Sequence, residues 1–286
     1  MELTTKGVTL HYLDDGNPDA PPILMLHGIT QSVATWDWLV PELVDDYRVV
    51  RLDFRGHGQS DRTPGAYNFS DYVGDAVAVC EQVLGRPAVV VGHSLGGGTA
   101  AGLAQTRPDL VRGVVLEDPA IMLPTISTSG LENNPLFQAF DLMRTSIPML
   151  QESGMTAGEL ANGLTALPSP AGPLFGEITH DDAIVAMAEG MLNVDVAVLE
   201  LIFDGLAEPV FLAHKELPVP GAILAGDRTV PGTIVRPRDL ELLKQHSPHI
   251  DQRVVTGAGH MIHDSKDHRD IVRSAIVDVL SHLSSE

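Results

Sequence analysis

The segment Ala88-Val89-Val90-Val91-Gly92-His93-Ser94-Leu95-Gly96-Gly97-Gly98 decides how this chain is read. Its opening apolar run suits a buried strand, and the small residues that continue it, Thr99, Ala100, Ala101, Gly102 and Ala104, suit a helix packed closely on a sheet. An abrupt strand-to-helix turn forces its central residue into strained geometry, and Gly92 and Gly96 leave room where side chains would collide. Ser94 then stands exposed above a sheet.

Outward from this turn, residues 8–13, 23–26, 47–52, 88–91, 111–116, 221–225 and 252–255 read as strands. Several are near-continuous apolar runs, as expected of a parallel sheet covered on both faces. Helical patterns at 34–43, 70–84, 95–106, 238–245 and 266–283 separate them, so the fold class is α/β with a doubly wound, mostly parallel sheet. The alternation stops between residues 120 and 215, where patterns such as 135–150 and 181–201 are helical and no convincing strand occurs. Residues 1–119 and 216–286 are therefore expected to form the core of a single domain, with 120–215 inserted as a helical cap.

A chain of 286 residues with 44% hydrophobic content can bury a sizeable core. Its 38 acidic against 18 basic residues give a net charge of -20, which argues against nucleic acid or an anionic membrane as partner. The cap holds 12 acidic residues against Arg144 and Lys215 alone, together with Met122, Met143, Met149, Met155, Met187 and Met191. Methionines adapt to varied apolar shapes, so Met122, Met143, Met187 and Met191, with Met261, are candidates to line a substrate pocket. Cys80 is the only cysteine, so no disulfide forms within the chain, and it lies in an amphipathic helical stretch where it packs as a small hydrophobe. The first residues show no basic start followed by an apolar core, and no run approaches a membrane span; a cytoplasmic protein is expected. Composition leaves monomer and homo-oligomer equally open.

A serine hydroxyl is a weak nucleophile at neutral pH and needs a histidine to take its proton and a carboxylate to orient that histidine. His260, in the glycine-rich stretch Thr256-Gly257-Ala258-Gly259-His260-Met261 after a strand, is the best placed histidine. Asp227, after the strand at 221–225, is the favoured acid, because the order Ser, acid, His with the acid after the penultimate strand is the commoner one. Glu117 and Asp118, ending an earlier strand, are the alternatives, and a turn-forming role is the structural alternative for Asp227. Two backbone N–H groups are expected to face a developing oxyanion: that of Leu95, at a helix N-terminus, and that of Ile29 in His27-Gly28-Ile29-Thr30. His27 and Gly28 border this site, although the side chain of His27 suits a buried structural role. The loop Asp53-Phe54-Arg55-Gly56-His57-Gly58-Gln59-Ser60 reads as a hydrogen-bonded brace beneath it.

Taken in order, the oxyanion loop, the Asp53–Ser60 loop, the Ser94 turn and the loops of Asp227 and His260 resemble the α/β-hydrolase superfamily across essentially the whole chain. The segment Asp227-Arg228-Thr229-Val230-Pro231 and the run Gly96-Gly97-Gly98 are similar to its cofactor-free haloperoxidase and esterase branch. The resemblance implies eight mainly parallel strands, a cap after the sixth, and Ser94, Asp227 and His260 as the triad.

Family members that open carbon–halogen bonds or epoxides through an alkyl-enzyme ester carry Asp where this chain has Ser94. The expected activity is hydrolysis of a small, neutral to hydrophobic carboxylic ester or lactone. Hydrolysis of a carbon–carbon bond in a ring-cleavage product is the rival, weakened by the scarcity of cations in the cap and by His93 where those enzymes usually show Asn. A non-catalytic ligand-binding member of the fold is a further alternative. No His-Glu-x-x-His, paired-cysteine spacing or glycine-rich phosphate loop occurs, so neither metal nor cofactor is expected.

Overall fold

Eight strands, β1 (Glu2–Thr5), β2 (Val8–Asp15), β3 (Pro22–Leu26), β4 (Arg48–Leu52), β5 (Ala88–His93), β6 (Val111–Glu117), β7 (Gly221–Gly226) and β8 (Asp251–Val255), form one sheet in the order β1-β2-β4-β3-β5-β6-β7-β8. The computed structural model describes residues 1–121, 133–203 and 210–284. From β4 to β8 all pairings are parallel, and β1–β2 and β2–β4 are antiparallel. The central strands are apolar on both faces because both faces are covered. In β3, Leu24 and Leu26 join Phe69, Val79 and Leu103 on one side, whereas Ile23 and Met25 join Trp36, Leu39, Val272 and Ile276 on the other. β1 is an edge strand without apolar alternation, which is why no pattern announces it. It closes on β2 through Lys6 and Gly7, whose φ values of 48° and 82° suit a two-residue hairpin.

The helices, in chain order, are α1 (Val40–Leu43), α2 (Phe69–Val79), α3 (Leu95–Thr106), α4 (Pro135–Glu152), α5 (Ala157–Leu164), α6 (Phe175–Ile178), α7 (Asp181–Asn193), α8 (Glu200–Phe203), α9 (Pro237–His246) and α10 (Arg269–Ser284). Those from α4 to α8, termed the cap, lie between β6 and β7. Two helical patterns are broken more than the sequence suggests. A 3-10 turn at Val33–Trp36 precedes α1, and the pattern at 181–201 stops after Asn193, where the amide of Gln151 donates to the carbonyls of Met191 and Val194. Asp195 then accepts from the Ala197 N–H and starts a new 3-10 turn.

The cap sits directly on the candidate site. Gly190 of α7 lies against the backbone of Thr30 and Gln31, so closely that an added Cβ would strike the Thr30 carbonyl. No helix among the described residues is long and apolar enough to cross a membrane.

Candidate active site

Ser94 joins β5 to α3 with φ 51° and ψ -111°, a conformation that non-glycine residues rarely adopt. Close backbone approach fixes the turn: a Cβ at Gly92 would meet the Gly96 carbonyl, and one at Gly96 would meet the Leu26 carbonyl. The Ser94 N–H donates to the Glu117 carbonyl at 3.0 Å, and its own carbonyl accepts from Gly98 and Ala120. Leu95 is the first residue of α3, where an N–H has no intrahelical acceptor. Ile29 follows Gly28, whose N–H donates to Gln31 Oε1 at 2.8 Å, and Thr30, at φ 64°, turns the chain back. Among the described residues neither the Ile29 nor the Leu95 N–H has a protein acceptor.

His260 finds its carboxylate in Asp118. Its Nδ1 lies 2.7 Å from Asp118 Oδ2, and both groups are buried. Asp118 Oδ2 also accepts from the Ile234 N–H, and Oδ1 accepts from Gly226 and Val235, so backbone donors of β7 and the loop after it fix the carboxylate. With Nδ1 donating to Asp118, neutral His260 keeps an unprotonated Nε2.

Asp227 does not make the expected contact. Its Oδ1 accepts from the N–H and hydroxyl of Thr229, and its Oδ2 accepts from the Gly257 N–H at 2.9 Å. These bonds, the Gly257 N–H foremost, hold its pKa below the ordinary aspartate value. Asp227 is a turn aspartate that ties the loop after β7 to the loop after β8; its side chain satisfies its own turn before it could reach the imidazole.

Glu117 is also separate from His260. It accepts from the backbone N–H and Nδ1 of His263, at 2.9 and 2.8 Å. Two adjacent acids thus take two histidines three residues apart. His263, absent from the sequence-based candidates, is fully buried, stacks on Trp36 at 4.6 Å, and brings Nε2 within 2.8 Å of Thr35 Oγ1 and 3.2 Å of Asp264 Oδ1. Burial alone would lower its pKa, but the carboxylates of Asp264 and Glu117 outweigh burial and raise it to about 9. The only sequence signal was the spacing His260-x-x-His263 opposite Glu117-Asp118. His93, Glu117 and His263 also bring potential metal-binding atoms within 4.8 Å of one another, but Nδ1 of His263 and both oxygens of Glu117 are already committed to their mutual bonds. His93 lies between the paired histidines, its Nε2 3.2 Å from the His260 carbonyl, and burial pushes its pKa well below normal, leaving it neutral.

Ser94 and His260 line one cavity of about 610 Å³ between core and cap. Met143, Met187, Met191 and Met261 border it, together with Met149 and Met155, with Leu136, Phe140, Leu160 and Phe175 among their neighbours. Met122 lies outside the described residues. His27 and Gly28 do not line the cavity: His27 is buried beneath it against Phe54 and His57, with Nδ1 2.8 Å from the Gly28 carbonyl and Nε2 accepting from the Phe54 N–H. Burial lowers its pKa, consistent with a neutral structural ring. The Asp53 carboxylate binds His11 and the N–H groups of Val33 and Gln59, bracing this floor. Among the described residues, no lysine or arginine lines the cavity.

A mostly parallel eight-stranded sheet with a serine at a strained strand-to-helix turn defines the architecture of an α/β hydrolase. A family model described as alpha/beta hydrolase fold matches residues 21–147. A non-heme chloroperoxidase of Streptomyces lividans is 30% identical over 252 residues, which cover 84% of this chain and 86% of that protein. A serine hydrolase-like protein of Danio rerio is 39% identical over 114 residues, 39% of this chain and 35% of the relative's length. The crystal structure of E-2-(acetamidomethylene)succinate hydrolase shares the fold, with a TM-score of 0.74, 23% identity and 98% of each chain covered. The chain belongs to the alpha/beta hydrolase fold family.

Proposed function

We propose that the protein is a serine hydrolase of neutral carboxylic esters or lactones with an apolar acyl group, using Ser94 as nucleophile, His260 as general base and acid, and Asp118 as the carboxylate that orients His260. The observation that carries this proposal is the placement of the strained Ser94 and the Asp118-bound His260 on one apolar cavity. Ser94 Oγ attacks the carbonyl carbon while its proton passes to His260 Nε2, and the Ile29 and Leu95 N–H groups receive the oxyanion. Asp118 stabilises the imidazolium. Collapse of the tetrahedral intermediate breaks the C–O bond as His260 protonates the leaving oxygen, and water then releases the acid by the same steps.

Among the described residues the cavity offers a buried carboxylate no lysine or arginine partner, and uncompensated burial of such an ion costs several kcal/mol, about 5 or more. Ring-cleavage products bearing carboxylates, substrates of the carbon–carbon hydrolases, fit it poorly for that reason.

Intact mass after exposure to a small fluorophosphonate tests the proposal. One adduct on the wild-type chain, lost in Ser94→Ala, is the expected outcome. No adduct on folded wild type would remove the activated serine and favour a ligand-binding role.

A further inference from the structure

A second cavity, of about 320 Å³, adjoins the first at His260. The two share the wall made by Leu136, Ser169, Pro170, His260 and Met261. Of the two, only the first reaches Ser94 and Ile29, where the acyl carbon and its oxygen must sit. Their linings also differ in chemistry. Methionine and leucine dominate the first, whereas the second, though also walled by Ile178, Val230 and Pro231, has a larger polar share, from Thr179, Thr229, Ser265, Asp267 and His268. Ser169, on the shared wall, has a buried hydroxyl with no partner among the described residues.

The second cavity follows from the choice of acid. Because Asp118 reaches His260 from the end of β6, the loop after β7 does not supply the imidazole's partner. Asp227 instead bonds Thr229 and Gly257, and Arg228 donates to the Thr233 carbonyl at 2.8 Å. So held, Thr229, Val230, Pro231 and Gly232 form one side of the second cavity, with the cap turn Ser169-Pro170-Ala171 on the other.

We propose that this second cavity receives the alcohol half of the substrate and that this half is polar and hydroxylated, so that the natural substrate joins an apolar acyl group to a hydrophilic alcohol. The inference rests on the proposed roles of Ser94 and His260. When the Ser94 Oγ–acyl bond has formed and the acyl C–O bond breaks, the leaving oxygen takes its proton from His260 Nε2, so the alcohol departs on the side of the imidazole. Water follows the same route to the acyl-enzyme and gives its proton to the same nitrogen. A volume equal to roughly ten water molecules accommodates an alcohol the size of glycerol. In an apolar site such an alcohol would lose hydrogen bonds to water; here the unpartnered Ser169 hydroxyl, the Thr179 hydroxyl and the exposed Asp267 carboxylate are placed to replace them, whereas the Thr229 and Ser265 hydroxyls and the His268 ring already bond Asp227, each other and the Thr256 carbonyl.

The test compares two esters of one acid, glyceryl monohexanoate and pentyl hexanoate, whose alcohols have equal numbers of heavy atoms. In the wild-type protein kcat/KM is expected to favour the glyceryl ester about tenfold, against the general trend for apolar ligands to bind better. In Ala171→Phe, which places a ring in the second cavity alone, the preference is expected to fall to within about twofold, with the melting transition checking that the variant is folded. Equal or faster turnover of the pentyl ester by the wild type overturns the inference and leaves ester hydrolysis standing, and so does a tenfold preference that survives in folded Ala171→Phe. The wild-type comparison decides even if the variant does not fold. Turnover of neither ester overturns the hydrolase proposal itself.

Discussion

Four donors converge on the Asp118 carboxylate: the His260 ring and the backbone N–H groups of Gly226, Ile234 and Val235. A carboxylate fixed this way holds the imidazole in one tautomer and one orientation, which is the part of serine catalysis most sensitive to geometry. Asp118→Asn is therefore expected to lower kcat by about 10³- to 10⁴-fold while leaving the fold intact. Asp227→Asn loses one exposed turn bond and is expected to keep activity within about threefold of wild type. Steady-state kinetics on the two variants decides between the acids, and the reverse pattern would overturn the assignment to Asp118. The turns that carry Ser94, His260 and the Ile29 and Leu95 N–H groups were legible in the sequence because each is glycine-rich and next to an apolar run. The carboxylate that His260 contacts was not, since Asp227 and Asp118 both follow strands at the carboxyl edge of the sheet. Local pattern cannot tell which of two loops closes on an imidazole, and Asp227 is diverted by a bond to Thr229, two residues away.

At the level of elements, the loop between β8 and α10 is pinned twice to the end of β6, at His260 by Asp118 and at His263 by Glu117. The second pin carries a pH signature. The His263 pKa is raised to about 9 against an ordinary 6.5, so its stabilising contribution is complete below about pH 6.5 and is lost as pH rises through about 9. The groups facing it are Glu117 on β6, Asp264 and Arg269 on the C-terminal side, Trp36 and Thr35 in the 3-10 turn, and His93 on β5. The full shift corresponds to about 3 kcal/mol. Urea unfolding of wild type and His263→Gln is expected to show a stability gap at pH 6.5 that closes by about pH 10. A gap independent of pH would mean that His263 acts by packing on Trp36 rather than by charge. This pin escaped the sequence because His263 and Glu117 are polar residues inside an apolar interior, paired over 146 residues. The parallel strands were legible, being short apolar runs between helices, but β1 needed its partner strand before it could be seen.

For the whole molecule, the proposed function places substrate selection where the cap meets the core. The first cavity is a joint product of α4, α5 and α7 above and of the Ser94 and His260 loops below, and nearly every side chain the cap contributes is apolar. Each methylene an acyl chain buries there gains about 0.8 kcal/mol, so kcat/KM on esters of one alcohol is expected to rise about fourfold per carbon from acetate to hexanoate. An acyl group ending in a carboxylate meets the opposite physics twice over. At long range it approaches a chain of net charge -20, and inside it finds no lysine or arginine among the described residues. A succinate half-ester is therefore expected to turn over at least about a hundredfold more slowly than the butyrate ester of the same alcohol. Ionic strength separates the two causes. Salt screens the approach but not the buried site, so raising it from about 0.01 to 0.5 M should recover only a small part of the deficit. Recovery of most of it would locate the discrimination in the surface field rather than the cavity, and preference for the succinate ester at any ionic strength would show that the cap supplies an anion site that its apolar lining gives no reason to expect.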